Sequence, residues 1–298
     1  MTNPPAAAAC STSRSDELCR AIDASGSPAC VGLDPVFGKI PASVRETASS
    51  EADAIGRFCS AVLDTVAGVV GVVKPQSACF ERYGSAGYAA LERTIAHAKK
   101  LGFVVILDAK RGDIGTSGAH YAAGAASMGA DWITVSPYMG PSTIEPFIEA
   151  GLGVFALCRT SNPDSDRLQT LDAGGMTVAE HTASMLAEIG SSRVGSHGLS
   201  DLGAVVGATK SVADGRSLRG CMPDQFMLVP GVGAQGGTAE QVRPLARPGA
   251  SSVSELGVVV NASRSVLYPE SKPGHSWQDG IREAAESFAA SLGVIADS

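Results

Sequence analysis

Short apolar runs alternate along the chain with longer amphipathic stretches, and the alternation persists from residue 16 to residue 292. Residues 29–33, 68–73, 103–107, 132–135, 153–158, 204–208, 226–229 and 257–260 are compact and mostly apolar, rich in β-branched and aromatic side chains. That is the pattern of parallel strands buried on both faces. Residues 16–24, 51–67, 86–101, 118–128, 142–149, 177–189, 212–221, 238–246 and 277–292 read as helices, most with apolar positions at helical spacing. Eight strands, each followed by a helix, predict an α/β fold of the (β/α)8 TIM barrel type, a single domain over residues 13–298. Residues 1–12 read as a disordered tail. A doubly wound sheet is the alternative, but the first strand runs into Val31-Gly-Leu-Asp-Pro35, where that fold would want a GxGxxG turn.

Most of the predicted strands end in a polar or turn residue: Asp34, Lys74, Asp108, Ser136, Arg159, Thr209, Pro230 and Asn261. In a barrel these ends lie on one face, where substrate pockets are built. The third strand end is the densest. Residues 103–117 read FVVILDAKRGDIGTS, an apolar run that stops abruptly in Asp108, Lys110, Arg111 and Asp113. Side chains two apart on a strand point the same way, so Asp108 and Lys110 share a side, while Asp113 lies beyond the Gly112 turn. Charges after a strand are commonly a solvated loop. Here the neighbours are apolar, and a carboxylate and an ammonium at the mouth of a core must pair or be used.

The seventh and eighth strand ends suit an anion. Pro230-Gly-Val-Gly-Ala-Gln-Gly-Gly237 allows backbone N–H groups to approach closely, Gln235 adds a neutral donor, and Arg264 offers a planar fork for phosphate oxygens. Barrels frequently hold phosphate between these two loops.

Composition narrows the partners. At 298 residues and 44% hydrophobic content the chain can bury a large core. A net charge of −7 argues against nucleic acid as a bulk partner and leaves room for a small anionic substrate in a local basic pocket. Seven cysteines without a CxxC pair indicate a reducing compartment. The five histidines show no metal-binding spacing. No stretch resembles a membrane span or a signal peptide, so a soluble cytoplasmic protein without a membrane partner is expected.

In its ordered motifs the chain resembles the orotidine 5′-phosphate decarboxylase family, in its longer bacterial branch. Asp108-Ala-Lys110-Arg-Gly-Asp113-Ile114 matches the family's D-x-K-x-x-D-I element. Val31-Gly-Leu-Asp34-Pro, Val73-Lys74-Pro, Thr160-Ser161-Asn162, Pro230-Gly-Val-Gly-Ala-Gln235 and Ser263-Arg264 follow in the expected order, over roughly residues 28–268. The resemblance implies conversion of orotidine 5′-monophosphate to UMP and CO2 without metal or other cofactor. Lys110 would be the proton donor, Asp108 would sit against the substrate carboxylate, and Lys74 and Asp113 would complete an alternating charged network. Asp113 would come from the partner in a homodimer. Asp34 would hold ribose hydroxyls, Ser161 the pyrimidine amide edge, and Gln235 with Arg264 the phosphate. Either Thr116 or Ser117 would approach the partner subunit's ribose. Many relatives have glycine where Ser263 stands.

Charge argues for the same chemistry. Loss of CO2 from C6 of the pyrimidine leaves a localised carbanion, which a nearby ammonium stabilises and can protonate. A lysine flanked by carboxylates keeps its proton and is a poor Schiff-base nucleophile, which disfavours an aldolase. Two alternatives stay open. One is a Mg2+-dependent phosphosugar decarboxylase or synthase with Asp108 as ligand, for which Glu81 is the only further acidic candidate near the second strand. The other is a non-catalytic nucleotide-binding barrel.

Overall fold

A computed structural model of the protein describes residues 13–208, 210–232 and 237–295. The expected tail, Thr209 and Gln235 lie outside the described residues. Eight parallel strands close into a barrel in chain order. They are β1 (Ala29–Leu33), β2 (Val72–Pro75), β3 (Val104–Arg111), β4 (Trp132–Val135), β5 (Gly153–Arg159), β6 (Ser200–Val206), β7 (Gln225–Pro230) and β8 (Val258–Ala262). Cys30 of β1 pairs with Asn261 of β8, so the sheet has no free edge. The fold is the (β/α)8 barrel that the hydrophobic pattern predicts.

Period-two alternation divides the strand side chains between two cores. Val31, Val73, Val105, Ile133 and Val154 belong to the larger core shared with the surrounding helices. Cys30, Val72, Ile106, Trp132 and Phe155 form a second, inner cluster. The helix Arg14–Ser25 adds Leu18, Cys19 and Ile22 to this inner cluster and so plugs the end where the strands begin. Its first turn is fixed by the Ser13 hydroxyl, which accepts the Asp16 N–H at 3.1 Å.

Several expected elements differ. Residues 238–246 form two separate 3-10 turns, Ala239–Gln241 and Arg243–Leu245, rather than one helix. Pro244 lacks the N–H a continuing α-helix needs, and its ring crowds the carbonyl four residues back. The second strand begins at Val72, because residues 67–69 are the turn that ends the helix Glu51–Val66. The sixth runs over Ser200–Val206, earlier than the apolar run suggests. Its polar start is absorbed by neighbours: the Ser200 hydroxyl donates to the Gly190 carbonyl, and Asp201 accepts the Ser15 N–H. Among the described residues, no helix is long and apolar enough to cross a membrane.

Gly153 opens β5 directly against the Trp132 indole, whose centroid lies 4.6 Å from that of Phe155. A Cβ at position 153 would fall 2.3 Å from that ring. Overpacking of this kind costs about 1–3 kcal/mol. Gly153→Ala is expected to lower the urea unfolding free energy by about that amount, and the loss should shrink in a Trp132→Leu background, where the ring is gone.

Candidate active site

Beyond the inner apolar layer the same inward-facing rows turn polar. Val72 is followed two residues on by Lys74 and then Gln76, Ile106 by Asp108, Trp132 by Thr134, and Val259 by Asn261. With Asp34, these side chains line a cavity of about 460 Å3 at the ends of the strands. It is the face on which barrels carry their sites.

Asp108 is the centre of this layer. The residue is only 6% exposed, and its carboxylate meets four donors. Oδ2 receives Lys74 Nζ at 2.8 Å and Gln76 Nε2 at 3.1 Å. Oδ1 receives Lys110 Nζ at 2.5 Å and the Thr134 hydroxyl at 2.9 Å. Two carboxylate oxygens offer about four lone-pair sites, so the anion is saturated. Burial alone would push the Asp108 carboxyl up; the Lys74 and Lys110 ammonium groups outweigh it and hold the group well below the usual carboxylate range. Lys74 mirrors this. Burial would lower its value, but the charges of Asp108 and Asp34 hold it above the ordinary lysine range.

Lys110 reaches this position through distorted backbone. The β3–β4 ladder pairs Leu107 with Ile133 and next pairs Arg111 with Val135, so β3 carries two surplus residues at this point. Lys110 has φ 45°, the only positive φ at a non-glycine among the described residues. Left-handed backbone costs a side-chain-bearing residue about 1–2 kcal/mol, and such strain gathers at functional sites.

Of the residues expected from the sequence, Asp34, Lys74, Asp108, Lys110, Ser161 and Arg264 all line the cavity. Arg264 begins a short helix, Arg264–Leu267, directly after β8 and makes no ion pair with a described residue. Asp113, Thr116 and Ser117 are not in the cavity wall. Asp113 accepts the Ile114 N–H at 2.8 Å, and the two hydroxyl residues lie exposed in the first turn of the helix Gly115–Ser127. Arg159 turns from the cavity to pair with Asp166 at 2.7 Å and with Asp214 at 3.2 Å. Arg111 pairs with Glu81 and lies over the Tyr121 ring at 5.1 Å.

Thr134 and Gln76 join the site without having been expected there, and Asn261, expected only as one of the strand ends on this face, lines the cavity too. A polar side chain in the inward row of a barrel strand, two residues after Trp132, is the signal that marks Thr134. Among the described residues, Asn261 and Asp34 each carry a buried oxygen without a hydrogen-bond partner, Oδ1 in both. A buried acceptor left unmet costs about 1–3 kcal/mol, so this part of the wall suits a ligand bearing hydroxyl or N–H groups. Gly32, between them, leaves space for Ser263: a Cβ there would lie 2.0 Å from the Ser263 hydroxyl oxygen, which receives Asn261 Nδ2 at 3.3 Å.

The residues present suit a divalent cation poorly. Asp108 already faces two ammonium groups, and Glu81 is engaged by Arg111 and Ser77 away from the cavity wall. Among the described residues, no three His, Cys, Asp or Glu side chains group as a metal site.

The family model for the orotidine 5′-phosphate decarboxylase / HUMPS family matches residues 27–278. Orotidine 5′-phosphate decarboxylase of Rhodopirellula baltica is 40% identical over 294 residues, spanning 90% of this chain and 95% of the relative. That of Streptomyces coelicolor is 38% identical, spanning 92% and 95%. Among solved structures, OMP decarboxylase of Leishmania donovani superposes with a TM-score of 0.77 at 30% identity, covering 96% of this chain and 100% of that one.

The Asp108 and Lys74 values carry opposite linkage. Asp108 ionises below its unfolded value, so its contribution to stability is present above about pH 3.9 and is lost as pH falls through the folded value. That of Lys74 is present below about pH 10.4 and is lost as pH rises through its own folded value. Asp108→Asn leaves the buried Lys74 ammonium with only Asp34 to offset it and is expected to cost about 3–5 kcal/mol at neutral pH. Urea unfolding of both proteins should show that deficit narrowing as pH falls below about 4.

Proposed function

The chain belongs to the orotidine 5′-phosphate decarboxylase / HUMPS family, and from that membership we propose that it converts orotidine 5′-monophosphate to UMP and CO2 in pyrimidine biosynthesis. The observation that carries the reading is the saturated Asp108 carboxylate flanked by the Lys74 and Lys110 ammonium groups on the cavity wall. Asp108 faces the substrate carboxylate. The bond from C6 to the carboxylate carbon breaks, the electron pair stays on C6, and Lys110 delivers a proton there before regaining one from water. Unit charges about 4 Å apart interact by about 4 kcal/mol at an effective dielectric of about 20, so the ammonium contributes a large part of the stabilisation and not the whole. Repulsion between Asp108 and the leaving carboxylate adds to it.

The remaining contacts follow the family pattern on this chain's residues. Asp34, whose buried Oδ1 meets no donor among the described residues, accepts from ribose hydroxyls. Ser161 meets the pyrimidine amide edge, and Arg264 with Gln235 holds the phosphate. Asp113 completes the charged network of a second subunit in a cytoplasmic homodimer, and Thr116 or Ser117 approaches the ribose there. The exposure of Ile114, Tyr138 and Met139, in the loops after β3 and β4, supports an interface on this side of the barrel.

Two measurements test this. EDTA-treated protein is expected to remove the ultraviolet absorbance of the orotate ring, and Lys110→Ala to leave it unchanged; an inactive parent protein would count against the reaction. Mixing inactive Lys110→Ala and Asp113→Ala chains is expected to restore about one quarter of the parent activity, because half of the sites in each mixed dimer are intact. No recovery on mixing would overturn the shared site.

A further inference from the structure

Between Leu107 and Arg111 the third strand spends four residues on a stretch that β4 covers in two, Ile133 to Val135. The surplus lifts Lys110 out of the ladder and into left-handed backbone. Its N–H therefore has no carbonyl on β4 to meet. A side chain takes that place: the Lys110 N–H donates to Thr134 Oγ1 at 2.9 Å. The same hydroxyl has one proton, which it gives to Asp108 Oδ1 at 2.9 Å. That oxygen is also the one that receives the Lys110 ammonium at 2.5 Å. Thr134 is 1% exposed, so water has little access to replace either bond.

We propose that Thr134 is a positioning residue for proton delivery, its single hydroxyl fixing both the backbone of Lys110 and the carboxylate that aims the Lys110 side chain. The assignment rests on the decarboxylase reading above and deepens it. A valine at this position keeps the β-branched shape and loses both bonds at once. The strained backbone then relaxes, and Asp108 Oδ1 keeps only the mobile ammonium. The ammonium shifts relative to C6 while the walls that bind ribose and phosphate stay in place. An error of about 1 Å at a reacting group can cost about a hundredfold in rate. The defect therefore falls on kcat rather than KM.

The test compares the parent protein with Thr134→Val and Thr134→Ser, using steady-state kinetics on orotidine 5′-monophosphate, thermal melting and hydrogen exchange of the Lys110 backbone amide. Thr134→Val is expected to lower kcat about ten- to a hundredfold with KM within about threefold, while melting shows the fold intact. Thr134→Ser, which keeps the hydroxyl, should stay within about threefold of the parent in both constants. The Lys110 amide should be protected in the parent and in Thr134→Ser, and exchange at least about tenfold faster in Thr134→Val. Three results would each overturn the proposal: kcat of Thr134→Val close to the parent value, Thr134→Ser as impaired as Thr134→Val, or Lys110 exchange unaffected by loss of the hydroxyl. Exchange needs no turnover. A parent protein that fails to decarboxylate thus defeats the reaction reading, while exchange still decides the role of Thr134.

Discussion

An ionised carboxylate buried where water cannot solvate it must find its solvent in the protein, and the Asp108 anion meets that requirement with four donors. Each donor comes at a structural cost of its own. Lys74 can be as deeply buried as Asp108 only because the carboxylate is there, and Asp108 stays charged only because Lys74 and Lys110 are. Neither Lys74 in β2 nor Asp108 in β3 can be removed without leaving the other's buried charge short of its partner. The arrangement therefore behaves as one unit: a fixed array of alternating charge that exists before any ligand arrives and need not reorganise during a reaction.

The barrel makes this possible by separating two layers along the same inward-facing rows. Trp132, Phe155 and Ile106 fill the lower layer, and the helix Arg14–Ser25 seals it from below. The packed apolar layer closes the charged layer off from that end of the barrel. A low-dielectric floor strengthens every charge interaction above it, which favours the paired carboxylate and would penalise an unpaired one. Thus the apolar packing beneath and the electrostatics above are parts of one design, joined by strands whose side chains alternate between the interior and the surrounding helices.

Much of this was legible in the sequence because the relevant signals were local. The eight apolar runs stood out by their composition, and Asp108 and Lys110 by abutting one of them at a spacing that puts them on one side. Local reading failed where a competing constraint acted. Pro244 broke a stretch with helical periodicity, and Ser200 and Asp201 were too polar to read as strand although neighbouring groups satisfy both. The place of Thr134 in an inward row is legible, but its role was hidden for a different reason. Its partners are set by pairing between strands, and by a bulge that displaces the ladder by two residues, which no spacing within either strand reveals. Asp113, Thr116 and Ser117 lie outside the cavity of their own chain, so their expected contributions depend on a second subunit and not on the fold of one.

The left-handed Lys110 shows which effect decides the local structure. Glycine would adopt φ 45° without steric cost, and for a turn alone it would be the better residue. The strain of a side chain there is about 1–2 kcal/mol. An ammonium about 4 Å from a unit negative charge interacts with it by about 4 kcal/mol at an effective dielectric of about 20. That gross attraction, before screening of the half-exposed Lys110 side chain by solvent, is larger than the strain, provided the ammonium is held in place. The bulge alone does not hold it, because a strained backbone relaxes unless its neighbours over-determine it. Lys110 is tied at both ends, through its N–H to Thr134 and through its ammonium to Asp108, and Thr134 ties those two anchors to each other. Strain, bulge and buried charge are thus mutually dependent, and the closed triangle of hydrogen bonds is what lets a lysine occupy a position that backbone geometry alone would give to glycine.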